Sequence, residues 1–141
     1  MVFHAQSEHT INGERKDLEI QTIHKPATTS ENTEAVETFP FAGVSILFSN
    51  TSATADLTEA EVQIIDTFFQ SLQWDKLYTD EGADPVADLV TYGNLMQLVD
   101  FNNRWAYKGS LTTPPCTSFV YWNVLSTVYP IKAEHLELFK D

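Results

Sequence analysis

Gly109-Ser110-Leu111-Thr112-Thr113-Pro114-Pro115-Cys116 is the stretch around which the chain is organised. Prolines fix φ and remove backbone donors, so the run is read as a stiff loop, not a strand or helix interior. It presents three hydroxyls together with the only cysteine of the chain. A rigid loop carrying hydroxyls is a suitable scaffold for a site. On composition alone, an ordinary Pro-rich turn between two strands is the simpler reading. Trp105–Ser110 leads into the loop, and Ser118–Val128 reads as a long strand of aromatic and β-branched residues that Pro130 ends. Lys132–Lys140 follows as a short terminal helix with Leu136 and Phe139 inward.

Upstream, residues 1–24 read as two strands. Val2 and His4 share one face of the first and Phe3 points the other way. Asn12-Gly13 is a strong hairpin turn signal. After it Asp17–His24 alternates, with Glu19, Gln21 and Ile23 on one face and Leu18, Ile20, Thr22 and His24 on the other; Pro26 closes it. Residues 25–39 read as a polar connection. Phe41–Ser49 is an apolar strand expected near the centre of a sheet. Asn50-Thr51-Ser52 satisfies the N-glycosylation pattern and, with no secretion leader in sight, is read as coincidence. Thr58-x-x-Glu61 is a capping box, and Val62, Ile65, Phe68, Phe69 and Leu72 behind it recur at helical spacing. That apolar stripe, like Phe41, is read as core. Residues 74–88 are turn-rich and acidic, and Leu95, Met96 and Val99 mark a short helical or irregular segment before Phe101.

The bulk numbers bound the rest. With 141 residues, 43% hydrophobic and 20% charged, the chain is at most one globular domain. No apolar run reaches the length of a membrane span, and Met1–His4 lacks the pattern of a secretion leader, so a soluble protein of unassigned compartment is expected. The net charge of −12 argues against a nucleic-acid groove and an anionic membrane surface. One cysteine cannot form an internal disulfide.

Two separated stretches together resemble the α-class carbonic anhydrases. One is Phe3-His4-Ala5-Gln6-Ser7-Glu8-His9-Thr10-Ile11-Asn12-Gly13, continuing through Asp17–His24. The other is Tyr107–Cys116, followed by Val120-Tyr121-Trp122. The resemblance implies a mixed α/β, predominantly β fold: a twisted, mainly antiparallel central sheet with peripheral helices. It covers almost all of this chain but not the whole family domain, whose members carry further sequence before the first match. Residues 1–141 are therefore expected to form a partial domain of this type.

The family hydrates carbon dioxide reversibly on a zinc held by three histidines, the metal lowering the pKa of its water. The resemblance places those ligands at positions 2, 4 and 21, where this chain has Val2, His4 and Gln21. Valine has no lone pair and a Gln carbonyl is a poor zinc ligand beside imidazole. Only His4 matches, and His9, His24 and His135 offer no replacement pair. The resemblance also implies that Thr112 takes a hydrogen bond from the hydroxide on the metal and donates to Glu8, and that Thr113 borders the pocket. His9 is implied to bond near Tyr107 and Glu19. Gln21 is expected to donate its amide to Glu19 in place of a ligand histidine. Ile23, Leu111, Val120 and Trp122 match apolar pocket walls. Cys116 matches one member of a disulfide whose mate lies in sequence that this chain does not contain, so a free buried thiol is expected.

The chain is thus expected to be a carbonic-anhydrase-like protein that has lost zinc and catalysis and acts as a structural or binding subunit. No cofactor is expected, but a protein partner or larger assembly completing the fold is. The alternative is a zinc-dependent carbonic anhydrase represented by an incomplete sequence. Truncation alone does not explain the interior replacement at Gln21.

Overall fold

The computed structural model describes residues 1–25, 41–74 and 89–139. The segments read as a polar connection and as an acidic turn-rich stretch lie, but for their edges, outside the described residues. The central element is a five-stranded sheet of order β1-β4-β5-β7-β6. Its strands are β1 (Val2–His4), β4 (Leu18–His24), β5 (Phe41–Ser49), β6 (Arg104–Ser110) and β7 (Ser118–Pro130). Only the β5–β7 pair is parallel; the other pairs are antiparallel. The sheet is therefore mixed and mainly antiparallel, with Phe41–Ser49 in the middle.

Residues 1–24 hold four strands rather than two. The additional pair is a small hairpin, β2 (Thr10–Ile11) against β3 (Glu14–Arg15). Asn12 at φ 53° and Gly13 at φ 81° turn it, as the Asn-Gly signal requires. Two-residue strands are too short to show an alternating pattern, which is why the sequence hid them.

The alternation of side chains gives the sheet two unlike faces. On one, Leu18, Ile20, Ile46, Phe48, Leu125 and Tyr129 are buried in the main core. Helix α1 (Glu59–Ser71) packs there through Ile65, Phe68 and Phe69, with Leu95 of α2 (Tyr92–Leu98) and Leu136 of α3 (Ala133–Glu137). The Thr58 hydroxyl accepts the Glu61 N–H at 3.4 Å, and the Glu61 carboxylate accepts the Thr58 N–H at 2.8 Å, closing the capping box. α3 is shorter than the expected terminal helix, yet Phe139 still packs inward on Phe3, Phe69 and Trp74.

The other face is polar at β1 and β4. Val2 pairs with Gln21 and His4 with Glu19, so all four project to one side. Towards β7 this face becomes apolar, with Leu47, Val124 and Val128 buried and Ile11 of the hairpin packed on them. Gly109 and Ser110 are the last residues of β6, not part of the loop. The ladder shifts there: Gly109 pairs with Val120 but Ser110 with Ser118, leaving Phe119 as a bulge at φ 76°. The loop proper, Leu111–Thr117, is closed by Leu111 N–H donating to Thr117 O and Cys116 N–H to Thr113 O, both at 2.9 Å. Cys116 is exposed, contrary to the buried thiol expected, because that turn carries its side chain out to solvent.

Trp122 fixes the close fit of the central strands. It is 1% exposed, and its Nε1–H donates to Ser110 O at 2.9 Å. A Cβ on Gly43 would sit 2.5 Å from Trp122 Cε3, so only glycine fits beneath the anchored ring. Gly43→Ala is expected to cost about 1–3 kcal/mol, read as a lower urea midpoint. Gly93→Ala in α2, where a Cβ meets nothing within 4 Å, serves as control and is neutral or stabilising by up to about 1 kcal/mol.

Candidate functional site

Glu19 lies at the centre of the polar face, fully buried on β4. Its Oε2 accepts the backbone N–H groups of Glu8 at 2.7 Å and His9 at 2.9 Å. Its Oε1 accepts from Ser45 Oγ at 2.7 Å, Gln21 Nε2 at 3.0 Å and His9 Nδ1 at 2.5 Å. Five donors around one carboxylate compensate for its removal from water. Burial pushes the Glu19 carboxyl up, but the side-chain and backbone hydrogen bonds from His9 and the Ser45 bond outweigh it. The carboxyl is held at about 2, against an ordinary 4.5.

His9 carries the network to the edge strand. With Nδ1–H donated to Glu19, its Nε2 accepts from the Tyr107 hydroxyl at 2.7 Å. Burial, then the charges of Glu19 and Glu8, push the Tyr107 phenol up. The His9 ring also meets Trp122 edge-on at 5.2 Å. Ser7, buried at the start of this segment, holds it in place: its hydroxyl accepts the Lys16 N–H at 2.8 Å and donates to His9 O at 2.6 Å.

Gln21 is the second hub. Its Nε2 donates to Glu8 Oε2 at 3.1 Å as well as to Glu19, and its Oε1 accepts from Thr112 Oγ1 at 3.1 Å. Thr112 therefore donates to Gln21 rather than directly to Glu8. The inserted amide stands between them because it has one acceptor and two donors, matching a hydroxyl on one side and two carboxylates on the other. His4 sits beside Glu8, with 3.7 Å between Nδ1 and Oε1, and its Nε2 is buried with no hydrogen-bond partner.

The remaining expected wall residues divide. Val120 and Trp122 are buried. Leu111 is half-buried and Thr113 exposed, while Ile23, Tyr107 and Val2 are 38%, 44% and 45% exposed. His24 lies on the opposite face and meets the Thr22 hydroxyl at 2.9 Å. Sequence reasoning missed Ser45 and Ser7. Ser45 was legible as the one polar interior position of the apolar β5, two residues from Gly43 and so on the same face.

A second titratable group lies at the helices. Asp66 of α1, buried, pairs with Lys132 Nζ and His135 Nε2, each at 2.6 Å. Asp66, His135 and the exposed Glu134 bring possible ligand atoms within 4.8 Å of one another. The Lys132 ammonium and the His135 ring already occupy both Asp66 oxygens, so the arrangement works as an ion-paired tie between α1 and α3. No helix among the described residues is long and apolar enough to cross a membrane.

Known proteins share this arrangement of elements. Residues 3–141 match the family described as eukaryotic-type carbonic anhydrase. Dioscorin dioA3 of Dioscorea japonica is 31% identical over 139 residues, 99% of this chain and 43% of its own length. Alpha carbonic anhydrase 3 of Arabidopsis thaliana is 28% identical over 142 residues, 42% of its length. Among solved structures, the fungal alpha carbonic anhydrase of Aspergillus oryzae superposes at a TM-score of 0.65 with 28% identity, covering 98% of this chain and 51% of that one. A dioscorin complexed with ascorbate superposes at 0.61 with 29% identity, covering 96% and 47%. The chain spans less than half the length of these curated relatives.

The Glu19 network has a defined acid response. A carboxyl at about 2 when folded and 4.5 when unfolded adds stability that is complete above about pH 5. That stability is lost as pH falls through 4.5 towards 2, and amounts to about 3 kcal/mol. Glu19→Gln is expected to cost about 3 kcal/mol or more at pH 7, since its amide places donors against donors, and to flatten the acid response. Urea unfolding at pH 7, 5 and 3 reads both effects.

Proposed function

The chain belongs to the eukaryotic-type carbonic anhydrase family, and we propose that it is a member without a zinc centre of its own, acting as a structural or binding subunit. The observation that carries this reading is the run of bonds from Thr112 to Gln21 and from Gln21 to both Glu8 and Glu19. These bonds occupy the Gln21 carbonyl and both of its N–H groups without a cation.

The donors do not fit a three-imidazole zinc site. His4 Nε2 is buried and free of partners, and so is available to a metal. Val2, facing the same side, has no lone pair. The Gln21 carbonyl is engaged by Thr112, and its nitrogen carries donors, not an acceptor. One imidazole falls short of the three protein ligands that a catalytic zinc requires. No chemical step is therefore assigned to a metal here, and the catalytic roles of Thr112 and Glu8 reduce to holding the loop against β4. Thr113, Ile23, Leu111, Val120 and Trp122 shape the recess around them.

As a binding subunit, the chain offers the exposed side of this face, where Val2, Ile23, Trp105 and Tyr107 remain in solvent. A β-rich partner segment, completing the fold that the relatives share, is the protein ligand this reading favours. Among small molecules, the dioscorin solved with ascorbate makes that acid the first ligand to titrate.

Purified protein, stripped of metal and re-exposed to zinc, is expected to retain well under one zinc per chain by elemental analysis. Its carbon dioxide hydration is expected to match buffer with or without a sulfonamide. One tightly held zinc per chain with sulfonamide-sensitive activity would replace this reading with the zinc enzyme. Gln21→His alone is expected to leave the zinc content unchanged. The pair Val2→His and Gln21→His supplies the two absent imidazoles beside His4 and is expected to bind zinc stoichiometrically.

A further inference from the structure

Asn50-Thr51-Ser52 is the single Asn-x-Ser/Thr sequence in the chain, and the carbonic-anhydrase reading gives it no part. Its structural setting leaves the acceptor accessible. β5 ends at Ser49 and the chain bends directly into the tripeptide, all three residues of which are exposed. Asp17 pins the bend: one carboxylate oxygen accepts the Ser49 hydroxyl at 2.6 Å and the Asn50 N–H at 2.8 Å. The Ser49 hydroxyl oxygen in turn accepts the N–H groups of Thr51 at 3.3 Å and Ser52 at 3.1 Å. The backbone donors of the bend are thus used locally. The Asn50 carboxamide has no partner among the described residues and is left to solvent. The hydroxyl two residues on, Ser52, is also exposed, and among the described residues it meets Ser49 and Lys16.

We propose that Asn50 is an N-glycosylation site, modified when the chain passes through a secretory compartment. An exposed acceptor at a strand-ending bend is the surface-loop setting that this modification requires. The donor is an oligosaccharide carried on a polyprenyl diphosphate, presented by a membrane transferase that reads the hydroxyl at Ser52. Asn50 Nδ2 forms a bond to the anomeric carbon and loses one proton. The bond from that carbon to the diphosphate oxygen breaks, and the lipid diphosphate leaves with the electron pair. The product extends from the end of β5 into solvent. Asp17 holds the Ser49 hydroxyl and the Asn50 backbone N–H, not the Asn50 side chain, so the added sugar breaks no contact that holds the bend.

The test expresses the full chain behind a cleavable secretion leader in eukaryotic cells, with intact mass measured in both lysate and medium. The expected result is one oligosaccharide, removed by peptide N-glycosidase with a residual gain of about 1 Da at Asn50 as amide becomes acid. Asn50→Gln and Ser52→Ala are each expected to abolish the modification, while Ser52→Thr retains it. Reading the lysate as well as the medium detects sugar added to chain that fails to leave the cell. Glycosylated and enzymatically stripped protein are expected to unfold within about 2 °C of each other, a shift well under 1 kcal/mol. Unmodified wild-type chain in both fractions would overturn the proposal. So would sugar that survives Asn50→Gln, or a glycosylated form that no longer folds.

Discussion

The polar side of this fold depends on one buried charge. Glu19 has no exposed surface, and a carboxylate taken out of water is tolerated only when its lone pairs are filled. Its five donors come from the Glu8–His9 segment, from Gln21 on its own strand and from Ser45 on β5. Satisfying that one group therefore fixes the path of the chain after β1 and ties it to the sheet. His9 extends the constraint to β6 through Tyr107, a residue 98 positions away in sequence. Trp122 secures the same region from the apolar side, lying against His9 and anchored to Ser110.

The sheet separates two kinds of stabilisation. Its helix-covered face relies on burial of aromatic and aliphatic side chains, which is non-directional and tolerant of shape. The other face relies on directional bonds with a fixed count of donors and acceptors. Replacing any member there alters the accounting for its neighbours. This explains how an amide at Gln21 coexists with two carboxylates and a hydroxyl: its two N–H groups and one carbonyl are each used once.

These two faces were unequally legible in the sequence. Period-two alternation in 17–24, the apolar run 41–49 and the Thr58/Glu61 capping box lead directly to β4, β5 and α1, because each is a local pattern. The short hairpin pair escaped, since two residues make no period. Gly109 and Ser110 were read as loop because of the prolines beyond them. Those prolines act on their own backbone and on the residue before, so β6 continues up to Ser110. The exposure of Cys116 depends on a turn that composition does not specify. In the site, residues sharing a motif were readable together, but Ser45 lies within an apolar strand and its partner is 26 positions away. The bond between Thr112 and Gln21 spans 91 positions and is set by register alone.

A network of this kind separates architecture from chemistry. Breaking a satisfied buried polar group costs stability whether or not a reaction runs through it. The Glu8, His9, Glu19 and Tyr107 arrangement therefore contributes to stability whatever chemistry the recess carries. Val2 and Gln21 pair across β1 and β4 and face the same recess. They are readily accommodated around the bonds observed, because Val2 demands no partner and Gln21 has all the partners it needs. Only His4 Nε2, buried and unpaired, stands outside that balance. Among the described residues it is the buried side-chain polar atom left without a hydrogen-bond partner.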